Sequence, residues 1–194
     1  MPLNPSPMKI TAISGSLRRQ SSNTSLLHAL FPLAPETMEI SIFEGIGDLP
    51  HFNPDVDGDD PAHPVARLRD TIRQADGVII STPEYAHGVP GVLKNALDWL
   101  VSSGEFVYKP VAVVSGSPME TGGEKAHQSL LMTLRMMTAE LVEGGSFTVP
   151  FLNQKLRAGE IVDEGLNERL KGMLGKLEEA VRQAAANGLD GFRL

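Results

Sequence analysis

No cysteine occurs among the 194 residues. That excludes a disulfide framework, a thiolate metal or iron–sulfur site, and a thiol nucleophile or redox relay. Any redox chemistry must therefore run on a borrowed cofactor. Positive charge is also scarce: 17 Lys and Arg stand against 24 Asp and Glu, a net of −7. With no cationic excess to displace counterions from a phosphate backbone, nucleic acid is not expected as a partner. Long apolar runs are missing as well, the longest being residues 111–114, far short of the ~20 that span a bilayer. No membrane association is expected. Before Lys9 the N-terminus carries three prolines and no charged side chain, so it has neither the basic segment nor the apolar stretch of a signal peptide, and a cytoplasmic location follows as the expectation.

What the chain does have is a globular balance of 41 % hydrophobic and 21 % charged residues, too apolar for a disordered chain. The length fits a single domain over 1–194, with residues 1–7 and 188–194 as flexible tails. Short β-branched or apolar runs at 8–14, 38–43, 77–81, 111–115 and 146–149 read as strands. Between them, apolar residues at helical spacing predict helices over 22–31, 62–75, 91–101 and 124–141, and a last amphipathic helix over 166–186. The segment 44–64 holds three glycines, four prolines and five aspartates without a period, and reads as a long surface loop. Strands alternating with helices imply a doubly wound parallel α/β sheet with helices on both faces. Such sheets bind ligands at the carboxyl ends of their strands, which singles out the loops after Ser14, Ser81 and Ser115.

The first of these loops, Gly15-Ser16-Leu17-Arg18-Arg19-Gln20-Ser21-Ser22-Asn23, brings hydroxyls, an amide and two guanidiniums to a helix N-terminus. Free N–H groups, the helix dipole and an Arg fork together suit a phosphate. A helix cap at Ser21 or Ser22 is the plainer reading, but a cap alone does not need Gly15, Ser16 and Arg18 together. Neither G-x-G-x-x-G nor G-x-x-x-x-G-K-[ST] is present, so a monophosphate fits better than a dinucleotide fingerprint or a triphosphate loop. The second loop, residues 82–91, has two stiffening prolines, glycines that let backbone approach a partner, and Tyr85 as an aromatic face. A flat heterocycle and an ordinary rigid turn into the next helix account for it equally well. The third, residues 116–123, is glycine-rich and weak by itself.

The stretches Gly15-Ser-Leu-Arg-Arg-Gln-Ser-Ser-Asn23 and Pro83-Glu-Tyr-Ala-His-Gly-Val-Pro-Gly-Val-Leu-Lys-Asn-Ala-Leu-Asp-Trp99, with Gly122-Gly123 in the third loop, resemble the NADPH-dependent FMN reductases. The resemblance implies a flavodoxin-like fold of five parallel strands in the order 2-1-3-4-5. It implies that Ser16, Arg18, Ser21 and Asn23 hold the FMN phosphate and that Pro83, Glu84, Tyr85, His87 and Gly88 line the isoalloxazine. Ser115 and Gly116 would flank the ring from the third loop. It further implies NADPH or NADH as donor, a quinone, azo dye, metal oxyanion or free flavin as small-molecule acceptor, and a homodimer or homotetramer. Ala86 departs from the family's frequent Asn, and Glu124-Lys125 from a frequent apolar residue and Arg.

Under that reading the flavin takes a hydride at N5 and passes electrons on, so no catalytic side chain is required. Arg18 or Arg19, beside the phosphate loop, is a candidate for the extra phosphate of NADPH, and Arg19 is assigned to it. A flavodoxin-like FMN electron carrier without NAD(P)H activity is the alternative, as is a non-catalytic flavin-binding protein; the arginines of the phosphate loop favour a reductase. The five histidines, at 28, 51, 63, 87 and 127, have no ligand spacing, so no metal is expected. Residues 55–59 faintly resemble a calcium loop, but Asp60 and Ala66 stand where Gly and Glu are needed, and a solvated loop is expected there.

Overall fold

β-branched runs become central strands only where helices cover both faces of the sheet, and this chain supplies helices at the required intervals. The computed structural model describes residues 6–58 and 61–188. Strand β1 (Met8–Ser14) leads through α1 (Ser22–Ala29) to β2 (Met38–Ile42), α2 (His63–Gln74), β3 (Gly77–Thr82) and α3 (Gly91–Asp98). Then come β4 (Pro110–Gly116), α4 (Glu124–Met136) and β5 (Glu140–Val149). These five strands are parallel throughout, in the order β2-β1-β3-β4-β5, as expected. A one-turn α5 (Leu152–Lys155), a hairpin of β6 (Leu156–Arg157) and β7 (Glu160–Ile161), and the long α6 (Glu164–Ala186) complete the chain. The tails expected at 1–7 and 188–194 lie almost wholly outside the described residues. No described helix is long and apolar enough to cross a membrane.

Period-two alternation divides the strands between two cores. Val78, Ile80, Val111 and Val113 face α2, α3 and α4 through Leu68, Ile72, Leu93, Leu97, Leu130 and Leu134. Ile79, Ala112 and Val114 face α1 and α6 through Leu26, Leu27, Leu170, Leu174 and Leu177. Each of these side chains is fully buried, worth roughly 1.5–3 kcal/mol for a Leu or Ile. Several such contacts per helix hold the carboxyl ends of β1, β3 and β4 as a rigid edge from which the three loops depart.

Three differences from the sequence expectations have physical causes. The helix expected over 124–141 stops at Met136, and β5 starts at Glu140 rather than 146. Thr138 takes a left-handed φ of 60°, its carbonyl accepts from Tyr108 N, and Glu140 N donates to Lys109 O; pairing with β4 overrides the continuing helical pattern. The hairpin at 156–161, which no sequence pattern announced, turns on Ala158 and Gly159, both at positive φ. The third concerns the aspartate-rich loop, which is not simply solvated. Asp57 is buried in a pair with Arg69 at 2.5 Å, Ser102 Oγ donates to its other oxygen, and Arg69 also donates to the Trp99 carbonyl at 2.9 Å. Burial works against the Asp57 charge, but the hydrogen bonds from Ser102 and Arg69, together with the Arg69 charge, outweigh it and hold the carboxyl below the usual carboxylate range. Helix α3 grips the same loop: Trp99 Nε1 and Asn95 Nδ2 both donate to Pro50 O at 2.9 Å. Asp59 and Asp60 lie outside the described residues.

Candidate functional site

Where β1 ends, Gly15 N donates to Ser81 O at 2.8 Å, and a Cβ at Gly15 would stand 2.6 Å from Thr82 Oγ1. Only glycine lets the two strand ends come that close. The chain then folds over α1 through its own hydroxyls. Ser16 N donates to Ser14 Oγ and Arg18 N to Ser16 Oγ, both at 3.3 Å, and Ser21 caps α1 by accepting from Thr24 N. The capping reading of Ser21 thus holds. The first N–H groups of α1 have no intrahelical acceptor and carry the positive end of its dipole.

Where β3 ends, Tyr85 and Gly88 exchange backbone hydrogen bonds of 3.1 and 2.9 Å. Ala86 and His87 between them sit at φ 48° and 63°, the primed turn that ordinarily selects Asn or Gly. Two contacts pin this strained turn to α4. Glu84 Oε2 accepts from Lys125 N at 2.9 Å and Ala126 N at 3.1 Å, capping that helix from another element, and Lys125 Nζ donates to His87 Nδ1.

Asn23, in the first turn of α1, joins the ends of β3 and β4. Its Nδ2 donates to Gly116 O at 3.0 Å, and its Oδ1 accepts from Ser81 Oγ at 3.0 Å and Gly116 N at 3.2 Å. The amide is buried and mostly spent on this cross-link.

These elements enclose a crevice of about 250 Å³ at the carboxyl ends of β1, β3 and β4. Ser16, Arg18, Ser21, Ser22 and Asn23 line it from the first loop and α1; Pro83, Glu84 and Tyr85 line it from the second loop. Gly116 through Met119 contribute the third side, and Leu152 and Asn153 the fourth. Most of the residues singled out from sequence therefore converge. Four do not reach the crevice wall. His87 and Gly88 belong to the turn but are absent from the lining, His87 being turned to Lys125. Ser115 is fully buried, its hydroxyl 3.0 Å from His127 Nδ1. Arg19 stands in a separate open depression. Sequence reasoning missed Leu152 and Asn153. Asn153 is tied to Ser22 Oγ at 2.5 Å, but the only local signal was Pro150 closing the strand.

His127, on α4, is buried with Ser115 behind the crevice floor, and burial lowers its pKa below the ordinary imidazole value. The folded chain therefore favours neutral His127, whereas the unfolded chain takes up a proton near pH 6.5. Stability from this group is full above that pH and is lost as pH falls below it. Urea unfolding at pH 7.5 and 5.5 checks this. The fall in stability should be smaller in a His127→Asn variant than in the wild type, and equal slopes would remove His127 from the account.

Comparison with known proteins agrees with this geometry. A family model described as NADPH-dependent FMN reductase matches residues 8–154. A quinone reductase of Escherichia coli is 34 % identical over 91 % of this chain and 96 % of its own length. A 2-hydroxy-1,4-benzoquinone reductase of a Burkholderia species is 37 % identical over 90 % and 97 %. Among solved structures, a flavoenzyme NAD(P)H:(acceptor) oxidoreductase of Paracoccus denitrificans superposes with a TM-score of 0.79 at 31 % identity, over 91 % of this chain and 98 % of that one.

Proposed function

This chain belongs to the NADPH-dependent FMN reductase family and is an FMN- and NAD(P)H-dependent oxidoreductase; from that premise we propose that its crevice holds FMN and serves the reduction of a quinone by NAD(P)H. The donor set fits. At the phosphate end, Ser16, Arg18, Ser21 and Ser22 line the crevice beside the N-terminus of α1, a cationic and hydroxyl-rich shell suited to a phosphate monoester. At the other end the exposed ring of Tyr85 offers a flat face and the backbone N–H of Glu84 a donor, Pro83 having none and Tyr85 N being engaged by Gly88 O. The single observation that carries the reading is that loops 93 residues apart in sequence are locked by Asn23 and Gly116 into one crevice with these two chemically different ends.

When bound, FMN supplies a ring that accepts a hydride at N5 and returns one or two electrons. The chain's own part is to bind and orient. Arg18 neutralises and grips the phosphate. Pro83 and Pro118 stiffen the walls, and the buried Leu152 gives the inner crevice an apolar side. Glu84 is engaged at the N-terminus of α4, holding the ring-side loop in place. Asn23 keeps the loops at fixed separation, so that the site is formed before any ligand enters. The relatives' names support a quinone acceptor.

Anaerobic mixing tests this reading. FMN-loaded protein should be bleached by NADPH and recoloured by a benzoquinone or naphthoquinone, with parallel-line kinetics in the steady state. Flavin that NADPH and NADH both leave oxidised would instead identify an electron carrier.

A further inference from the structure

We propose that the chain carries a second ligand site, a groove between β1, β2 and α2 towards the amino-terminal end of the sheet, which takes a small zwitterion of the α-amino acid class. The observation behind it is Thr11. Among the described residues twelve polar or charged ones are buried, and eleven of these have a side-chain hydrogen bond. The Thr11 hydroxyl has none, although Thr11 is only 4 % exposed. No described side-chain N or O atom is sealed from solvent without a partner, so this hydroxyl opens on the groove that Thr11 lines. Packing alone would favour an apolar side chain at that position; a hydroxyl gains only from a partner in the groove.

Period two places Lys9 and Thr11 on the face of β1 that carries Ile13, and Glu39 and Ser41 on the face of β2 that carries Phe43, the face packed against α2. Register sets Lys9 beside Glu39 and Thr11 beside Ser41. Thr71, Gln74 and Ala75 close the groove from the end of α2. The charges next to the groove are engaged: Asp76 Oδ2 accepts from Lys9 N at 2.7 Å, and Lys109 Nζ donates to Ala75 O. Lys9 Nζ and the Glu39 carboxylate, although neighbours in register, form no ion pair with each other or with any other described residue. A simple anion drawn to Lys9 meets the repulsion of Glu39, and a simple cation drawn to Glu39 meets that of Lys9. A molecule that carries both charges satisfies both, with the Thr11 and Ser41 hydroxyls and the Gln74 amide left for its neutral groups. The groove measures about 150 Å³, a volume that holds about six non-hydrogen atoms, which suits serine and is too small for a nucleotide. Its open side leaves the charges partly screened, so binding in the millimolar range is expected.

Titration of the isotope-labelled, FMN-loaded chain with glycine, L-serine and L-threonine, followed by amide NMR shifts, tests the site, with acetate and ethylammonium as the separated charges. L-Serine should bind with a Kd of about 10 mM or tighter, and either half about tenfold more weakly. The shifts that saturate should belong to residues 9–11, 39–41 and 74–76, with the crevice residues unmoved. Thr11→Val should weaken L-serine about 2- to 10-fold, the loss of one neutral hydrogen bond. Glu39→Gln should narrow the gap between L-serine and acetate, and Lys9→Met that between L-serine and ethylammonium, each to about threefold or less. FMN affinity should stay within about twofold in all three variants, because the groove shares no residue with the crevice. The site is overturned by the lack of any saturable shift up to about 50 mM of the three amino acids, or by saturation confined to other surfaces. Acetate that binds as tightly as L-serine, or L-serine binding that Thr11→Val leaves unchanged, overturns it equally.

Discussion

Replacement of Arg18 by alanine should weaken FMN binding roughly 10- to 100-fold and leave riboflavin binding within about twofold. The magnitude follows from a hydrogen bond to a charged group, worth about 1.5–3 kcal/mol, in a site where the phosphate has no other cationic side chain within the crevice lining. The selectivity follows from chemistry, since riboflavin lacks the phosphate that the guanidinium meets. Arg18 has no carboxylate partner among the described residues and is exposed, so its removal leaves no orphaned charge and little change in stability is expected. Fluorescence titration with both flavins gives the two affinities. Equal losses for FMN and riboflavin would assign Arg18 to loop structure instead of to the phosphate.

The largest stability effect should come from Asn23→Ala. Removing the amide leaves Ser81 Oγ, Gly116 N and Gly116 O without the partners they have at 3.0–3.2 Å, at the junction of α1, β3 and β4. Orphaned buried groups cost about 1–3 kcal/mol each, moderated where water enters the space, so a total of about 3 kcal/mol is expected. For a domain of this size that lowers Tm by roughly 6–12 °C. FMN affinity should fall as well, because both ends of the crevice hang on this cross-link. Urea and thermal unfolding measure the first effect and flavin titration the second. A loss under about 1 kcal/mol would mean that the neighbouring loops hold one another without Asn23.

Much of this architecture was legible in the sequence because its signals are local. The β-branched runs of β1, β3 and β4 and the apolar stripes between them required no knowledge of tertiary contacts. The same is true of the hydroxyls and arginines before α1. Asn23 was legible as a residue of the crevice but not as its cross-link, since its partners are 58 and 93 residues away. Ser115 was expected at the crevice wall and is buried instead. Period two explains why: Ser115 shares the strand face of Val111 and Val113, the face covered by α4, where His127 meets it. The early start of β5 and the contribution of Leu152 and Asn153 were hidden because they depend on what β4 and the first loop offer from a distance. Local pattern places most of the elements here, while long-range pairing sets the start of β5 and which side chains reach the site.

A crystal structure of the FMN-loaded chain is the most direct test of the account. The phosphate should lie within hydrogen-bond distance of Arg18 and the Ser16 or Ser21 hydroxyl at the start of α1, with the ring between the Tyr85 loop and Gly116–Met119. Flavin bound on any other surface, or with its phosphate away from Arg18, would contradict it.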